Sequence, residues 1–241
     1  LIAIITMFFA GALSGAFQSV ISTLMLTGTI ILGVAMTLLI SKLLSKTILK
    51  GMPSSFHLEL PPYRRPQVGK VIIRSIFDRT LFVLGRAITV AAPAGMVIWV
   101  LANIHIGDLS LLAHCAGFLD PFARFIGLDG YILMAFILGF PANEIVVPIL
   151  IMSYMAAGKL TDLESLSELH TLFVNNGWTW LTAVCAILFT LLHWPCGTTF
   201  LTIKKETQSM KWALISFAIP TITGIIVCMI TANTIRLLGL I

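Results

Sequence analysis

The chain has 241 residues, 58% of them hydrophobic and only 10% charged, with a net charge of +5. Soluble domains carry about 25% charged residues, so this composition excludes an ordinary water-soluble fold and points to an integral membrane protein. The weak alternation of a membrane β-barrel is absent, and spanning helices that satisfy their own backbone are expected.

The chain opens at Leu1 inside an apolar run, without a basic n-region or small-residue cleavage site. That is the pattern of a piece whose upstream part is missing rather than of a signal peptide. Ile21–Ile40 carries no charge and is near the ~20 residues a helix needs to cross the hydrocarbon. Residues 1–50 are read as membrane helices. Next come Lys42, Lys46, Lys50, Arg64, Arg65, Lys70, Arg74, Arg79 and Arg86, a basic cluster that the positive-inside rule places in the cytoplasm. Residues 51–84 are read as an interfacial loop and an amphipathic helix. Phe56–Pro66 is too proline-rich for helix or sheet and is expected to lie extended along the surface, with Arg64 and Arg65 on anionic lipid; a cytoplasmic partner is the alternative for the two arginines. Val68–Leu84 has Lys70, Arg74 and Asp78 at successive i,i+4 steps and Val68, Ile72 and Ile76 on another face, which suits the headgroup layer.

Residues 85–241 begin with a charge-free crossing, Ala87–Ile104. The segments 104–129 and 158–176 hold Asp108, Asp120, Asp129, Asp162, Glu164 and Glu168 against Arg124 and Lys159, and both are placed outside. Gly130–Ala157 lies between them. It is apolar, yet interrupted by Gly139-Phe-Pro-Ala-Asn-Glu144, and each half is too short to span at ~1.5 Å per residue. A re-entrant hairpin over 130–157, turning at Pro141–Glu144, resolves both facts; one kinked through-going helix is the alternative. Asn175–Ile203 and Trp212–Ile235 are again free of charge, flanked by Lys204, Lys205 and Lys211. Within the first of them Pro195 removes a backbone donor and frees the carbonyl of Leu191. Cys196, Thr198 and Thr199 then make a polar pocket at membrane depth, and discontinuous helices of this kind mark substrate sites in transporters. The fold class is therefore all-α: a polytopic helical membrane protein with a re-entrant helical hairpin and a proline-broken transmembrane helix.

Glu144 is the only acidic or basic residue between Asp129 and Lys159. A carboxylate at membrane depth costs a few kcal/mol unless paired, protonated or functional. With Asn143 beside it, and Pro141 shaping the turn, it could meet a cation or polar solute; capping free amides at the tip is the structural alternative. His193 and Cys196, three apart, would share one side of an unbroken helix, and imidazole and thiolate suit Fe(II) and later transition metals. Glu144, Cys196 and His193 are the candidate metal ligands. Packing by Cys196 and capping by His193 are the alternatives. Cys115, Cys185 and Cys228 read as small apolar packing residues, scattered without a CxxC pair. No GxxxxGK[ST], GxGxxG, HExxH or GxSxG occurs, so no nucleotide or enzymatic site is expected in this chain, and nothing suggests nucleic acid.

Four motifs in order carry a family resemblance: Leu58-Glu-Leu-Pro-Pro-Tyr-Arg-Arg-Pro66, Gly139-Phe-Pro-Ala-Asn-Glu-Ile-Val-Val-Pro148, His193-Trp-Pro-Cys-Gly-Thr198 and Ile203-Lys-Lys-Glu-Thr-Gln-Ser-Met-Lys-Trp-Ala213. The chain resembles the C-terminal half of the membrane domain of FeoB, the prokaryotic ferrous-iron transporter family. Its Gate modules are also called nucleoside-recognition domains. The resemblance implies Fe(II) as the transported ion, a multi-pass location in the prokaryotic cytoplasmic (inner) membrane, and GTP bound only by a G domain missing here. That G domain and the first Gate half, in the same chain or a separate subunit, are the implied partners besides the lipid bilayer and a homo-oligomer. The chain departs from the family at Ala10, where a Cys commonly precedes Gly-Ala, at Gly15, where a Pro falls, and at Pro141-Ala142-Asn143, where a Cys often sits near the Glu. Glu144 and Cys196 are the positions best carried over. A transporter of nucleosides or other small polar solutes, and a non-transporting membrane assembly protein, are the alternative functions.

Overall fold

The computed structural model describes residues 2–10, 16–47, 68–156, 158–160 and 165–239. The proline-rich linker with Arg64 and Arg65, the residues Ala157, Asp162 and Glu164, and the positions near Gly11–Gly15 lie outside the described residues.

Helices dominate, as the apolar composition demands. A short helix α1 (Ile2–Ile5) passes into a π-helical turn, Thr6–Ala10. Helix α2 (Ala16–Lys46) covers the predicted first crossing and shows apolar side chains all round, among them Phe17, Val20, Met25, Ile30 and Leu32. An even apolar surface of this kind belongs in hydrocarbon. Among the described residues, three helical stretches, Phe17–Lys46, Trp180–Thr207 and Met210–Leu237, are long and apolar enough to cross a bilayer.

The amphipathic segment and the apolar segment after it, where a crossing was expected, are one continuous helical run, whose apolar part Ala87–Asn103 is shorter than the three spanning stretches. Helix α3 (Val68–Ser75) leads through a π-helical stretch, Ile76–Leu81, into α4 (Phe82–Asn103) without a terminus between them. At the far end of α4 the sequence reading missed two elements. A two-stranded antiparallel ribbon pairs β1 (His105–Ile106) with β2 (Leu109–Ser110) around Gly107, whose φ of 68° glycine tolerates without strain. Helix α5 (Leu111–Phe125) follows, capped by the Ser110 hydroxyl accepting from the Ala113 amide at 3.2 Å.

Helix α6 (Gly130–Leu138) turns back from α5 through 110°. The two approach so closely that a Cβ on Gly130 would lie 2.0 Å from the Ala116 carbonyl oxygen. Helix α7 (Val146–Tyr154) returns beside α6, then α8 (Leu166–Asn175) leads to α9 (Trp180–Leu192), α10 (Gly197–Thr207) and α11 (Met210–Leu237). Gln208, at φ 49°, reverses the chain between α10 and α11. The core where these helices meet is rich in small residues: Ala116, Ala123, Ala183, Cys185, Ala186, Cys228 and Ala232 are all buried. Small side chains let helices approach closely where no hydrophobic force separates lipid from protein. Cys185 and Cys228 are fully buried, as expected of packing residues, while Cys115 is half-buried.

Candidate functional site: two helix breaks that meet

The hairpin is present, and its base is closed by a side-chain network. Asp129 caps α6, its Oδ1 accepting from the Ile132 amide at 2.7 Å. Its Oδ2 accepts from the Tyr154 hydroxyl at the end of α7. The same hydroxyl accepts from Trp178 Nε1 at 2.8 Å. Asp120 on α5 adds Oδ1 to the Gly130 amide at 3.0 Å and Oδ2 to Arg124 Nε at 2.5 Å. The residue that starts α6 therefore touches the residue that ends α7, so both limbs open on one side. A through-going rod would put Asp129 and Tyr154 at opposite ends.

Other helices mark that same side. Arg236 Nη2, near the end of α11, donates to the Arg124 carbonyl at 2.8 Å. Asn103 Nδ2, closing α4, donates to the Gly158 carbonyl at 2.9 Å. Helix α9 starts just after Trp178, Lys204 and Lys205 lie in the last turn of α10, and Lys211 lies in the first turn of α11.

The tip of the hairpin is a tight, irregular turn. The Ala142 amide donates to the Gly139 carbonyl at 3.0 Å, and a 3-10 turn, Asn143–Ile145, leads into α7. Gly139 allows the limbs to touch, since a Cβ there would meet Val146 Cγ2 at 2.5 Å. Pro141 and Val146 point inward and are buried. That choice turns Asn143 and Glu144 outward, and both are exposed. Glu144, expected at membrane depth, is exposed on the tip rather than packed against this chain's own helices. The capping alternative is not realised either, because neither the 3-10 turn nor α7 has a side-chain cap.

The second break lies between α9 and α10. His193 ends α9 with an extended backbone (ψ −179°), and Cys196 sits at the N-cap of α10. The helix is interrupted between them, so the spacing of an unbroken helix does not decide whether His193 and Cys196 share one side. His193 Nδ1 lies 2.9 Å from the Thr190 carbonyl; this contact requires a proton on Nδ1, so a neutral ring keeps a lone pair on Nε2. Nε2 is buried without a hydrogen-bond partner among the described residues, as is Nε1 of Trp194. Cys196 Sγ lies 3.2 Å from Thr198 Oγ1 and 3.1 Å from Thr199 Oγ1, so the three polar side chains after Pro195 do gather as one group.

The sequence did not reveal that the two breaks touch. The Gly197 amide donates to the Phe140 carbonyl at 2.7 Å, joining the N-terminus of α10 to the hairpin tip. A Cβ on Gly197 would sit 2.9 Å from Val90 Cγ1 and 3.0 Å from Phe140 Cε1, so α4 converges on the same point. The His193 ring packs on Phe136 of α6 with centroids 5.1 Å apart. No group of three or more His, Cys, Asp or Glu able to hold a metal ion occurs among the described residues, so Glu144, Cys196 and His193 are not gathered into one ligand set.

Helical crossings, a re-entrant hairpin and a broken span meeting part-way along its length define a multi-pass membrane protein with discontinuous helices. The family model Gate, described as nucleoside recognition, matches residues 84–210, and the chain belongs to this family. A second model, described as Ferrous iron transport protein B C terminus, matches residues 26–78. Similar curated proteins include the Fe(2+) transporter FeoB of Staphylococcus aureus (strain COL), 29% identical over 90% of the chain and 32% of the relative. The Fe(2+) transporter FeoB of Methanocaldococcus jannaschii is 28% identical over 92% and 33%, and that of Leptospira interrogans is 27% identical over 84% and 32%. The chain thus spans about a third of the length of these relatives, in line with the membrane part of FeoB. No solved structure matches.

Proposed function

We propose that the chain forms part of a pathway for Fe(II) across the prokaryotic cytoplasmic membrane, with the ion passing where the hairpin tip meets the Pro195 break. The observation that carries this reading is the Gly197–Phe140 hydrogen bond between two interrupted helices. Irregular backbone at membrane depth is tolerated where protein or a water-filled cavity surrounds it, and here two such segments share one place. The donors there suit a borderline-soft cation: the Cys196 thiol, polarised by two hydroxyls, and the Nε2 lone pair of His193. The relatives named as Fe(2+) transporters support the choice of ion. Glu144, exposed on the tip, would attract a cation or complete its ligand set from beyond the described residues. Energy from GTP would come from a G domain elsewhere in the assembly, and neither that domain nor homo-oligomerisation is assigned to residues of this chain.

The experiment is uptake of radiolabelled Fe(II) into proteoliposomes by the whole transporter. Glu144→Gln and Cys196→Ser are each expected to lower flux at least tenfold with the protein still folded. Unchanged uptake in both variants overturns the reading. A nucleoside-like solute is a second reading, favoured by the description of the Gate family and by the exposed amide–carboxylate pair Asn143–Glu144. Nucleoside flux without Fe(II) flux in the same vesicles would select it.

A further inference from the structure

We propose that Phe140, the aromatic residue at the hairpin tip, is the movable closure of the site, and that it opens by parting from Gly197 while the base of the hairpin stays fixed. This rests on the transport reading and adds a gate to it. The two ends of the hairpin are held very differently. At the base, Asp120, Asp129, Tyr154 and Trp178 link α5, α6, α7 and the start of α9 through directed side-chain hydrogen bonds. Trp178 is itself buried and stacked on Phe173 at 4.4 Å. At the tip, one backbone hydrogen bond joins Phe140 to Gly197, Val90 of α4 lies beside Gly197, and the Phe140 ring makes aromatic contacts. The Phe140 ring lies 6.4 Å from Phe200 on α10 and 6.0 Å from Phe217 on α11, and Phe217 stacks on Trp194 at 5.7 Å. Aromatic pairs of this kind add modest, separable contributions, and apolar constrictions gate by excluding water.

Two further observations place an open state within reach. His193 Nε2 and Trp194 Nε1 are buried without a partner among the described residues. A buried polar nitrogen without a protein partner is costly unless something else satisfies it, so both nitrogens favour an arrangement that brings them a partner. In addition, a groove of about 510 Å³ lined by Ile137, Phe140, Trp194, Phe217 and Ile225 runs beside the tip, giving the Phe140 ring somewhere to go without disturbing α7.

The test is hydrogen–deuterium exchange of the membrane-embedded protein, read by mass spectrometry with fragmentation that resolves the Gly197 amide. This amide is bonded to Phe140, so its exchange counts tip openings directly and needs no transported ion. Phe140→Ala is expected to speed Gly197 exchange by about tenfold, the factor that follows when weak aromatic contacts holding one of two states are removed. Phe140→Leu, which keeps an apolar plug, should stay within about threefold of the parent. Tyr154→Phe should speed exchange at the hairpin base, in α6, and leave Gly197 within about twofold. The proposal is overturned by Gly197 exchange in Phe140→Ala within twofold of the parent. It is equally overturned by an equal rise in Phe140→Leu, or by a tenfold rise in Tyr154→Phe. Failure of the transport reading would show instead as absent flux with this exchange pattern intact.

Discussion

Replacing Tyr154 by Phe removes one oxygen from the base of the hairpin and leaves the ring in place. That oxygen donates to Asp129 Oδ2 and accepts from Trp178 Nε1 at 2.8 Å. A hydrogen bond to a charged group contributes about 1.5–3 kcal/mol and a neutral one about 1. Asp129 keeps the Ile132 amide, but Trp178 is only 4% exposed and its N–H would be stranded. The expected loss is therefore about 2–4 kcal/mol. Because the hydroxyl is shared, Trp178→Phe in the Tyr154→Phe background should cost less than it does alone, with a coupling above about 0.5 kcal/mol. Denaturation of the purified protein in nanodiscs, followed by intrinsic fluorescence and run as a double-mutant cycle, measures both quantities. Tyr154→Phe within 0.5 kcal/mol of the parent, or strictly additive costs, would refute the network as the clamp of the hairpin.

Two substitutions of glycine test the close approaches, and a third serves as the control. Gly197→Ala, whose Cβ would meet Val90 and Phe140 side chains at 2.9 and 3.0 Å, should cost about 1–3 kcal/mol and loosen the tip, as measured by thermal unfolding. Gly130→Ala meets backbone at 2.0 Å, which no rotamer change can relieve; a loss above about 3 kcal/mol is expected, seen as a collapse of the monodisperse peak in fluorescence-detected chromatography. Gly28 has nothing within 4 Å of an added Cβ, so Gly28→Ala should be neutral or stabilise α2 by up to about 1 kcal/mol in the same unfolding assay.

Much of the architecture was readable because lipid imposes strong rules. Charge-free runs marked three stretches long and apolar enough to cross, while the fourth, expected over Ala87–Ile104, is a shorter apolar helix, Ala87–Asn103; the clash between two acidic flanks and a short, Pro-interrupted apolar stretch pointed to the hairpin. Pro195 gave the second break, and Cys196 does gather Thr198 and Thr199. What escaped the sequence was pairwise and distant. Asp129 and Tyr154 are 25 residues apart, and each alone looks like a boundary residue. The Gly197–Phe140 bond uses backbone atoms, which no side-chain pattern encodes. The outward turn of Glu144 was hidden too: composition says a carboxylate is costly at depth but not which way a 3-10 turn faces, and that is decided by Pro141 and Val146 packing inward. Helix α5 lay unnoticed in a segment read only for its charges.

The hairpin also dictates an order of assembly. Neither α6 nor α7, at nine residues each, can halt in hydrocarbon by itself, and the irregular tip has no shelter until its neighbours exist. The partner of Phe140 is Gly197, made after it in the chain. Insertion during synthesis must therefore wait: the limbs dwell at the bilayer surface until α9 and α10 have entered, and only then fold inward. Nascent chains halted before residue 197 should leave the tip open to a water-borne probe, and chains released beyond α11 should not.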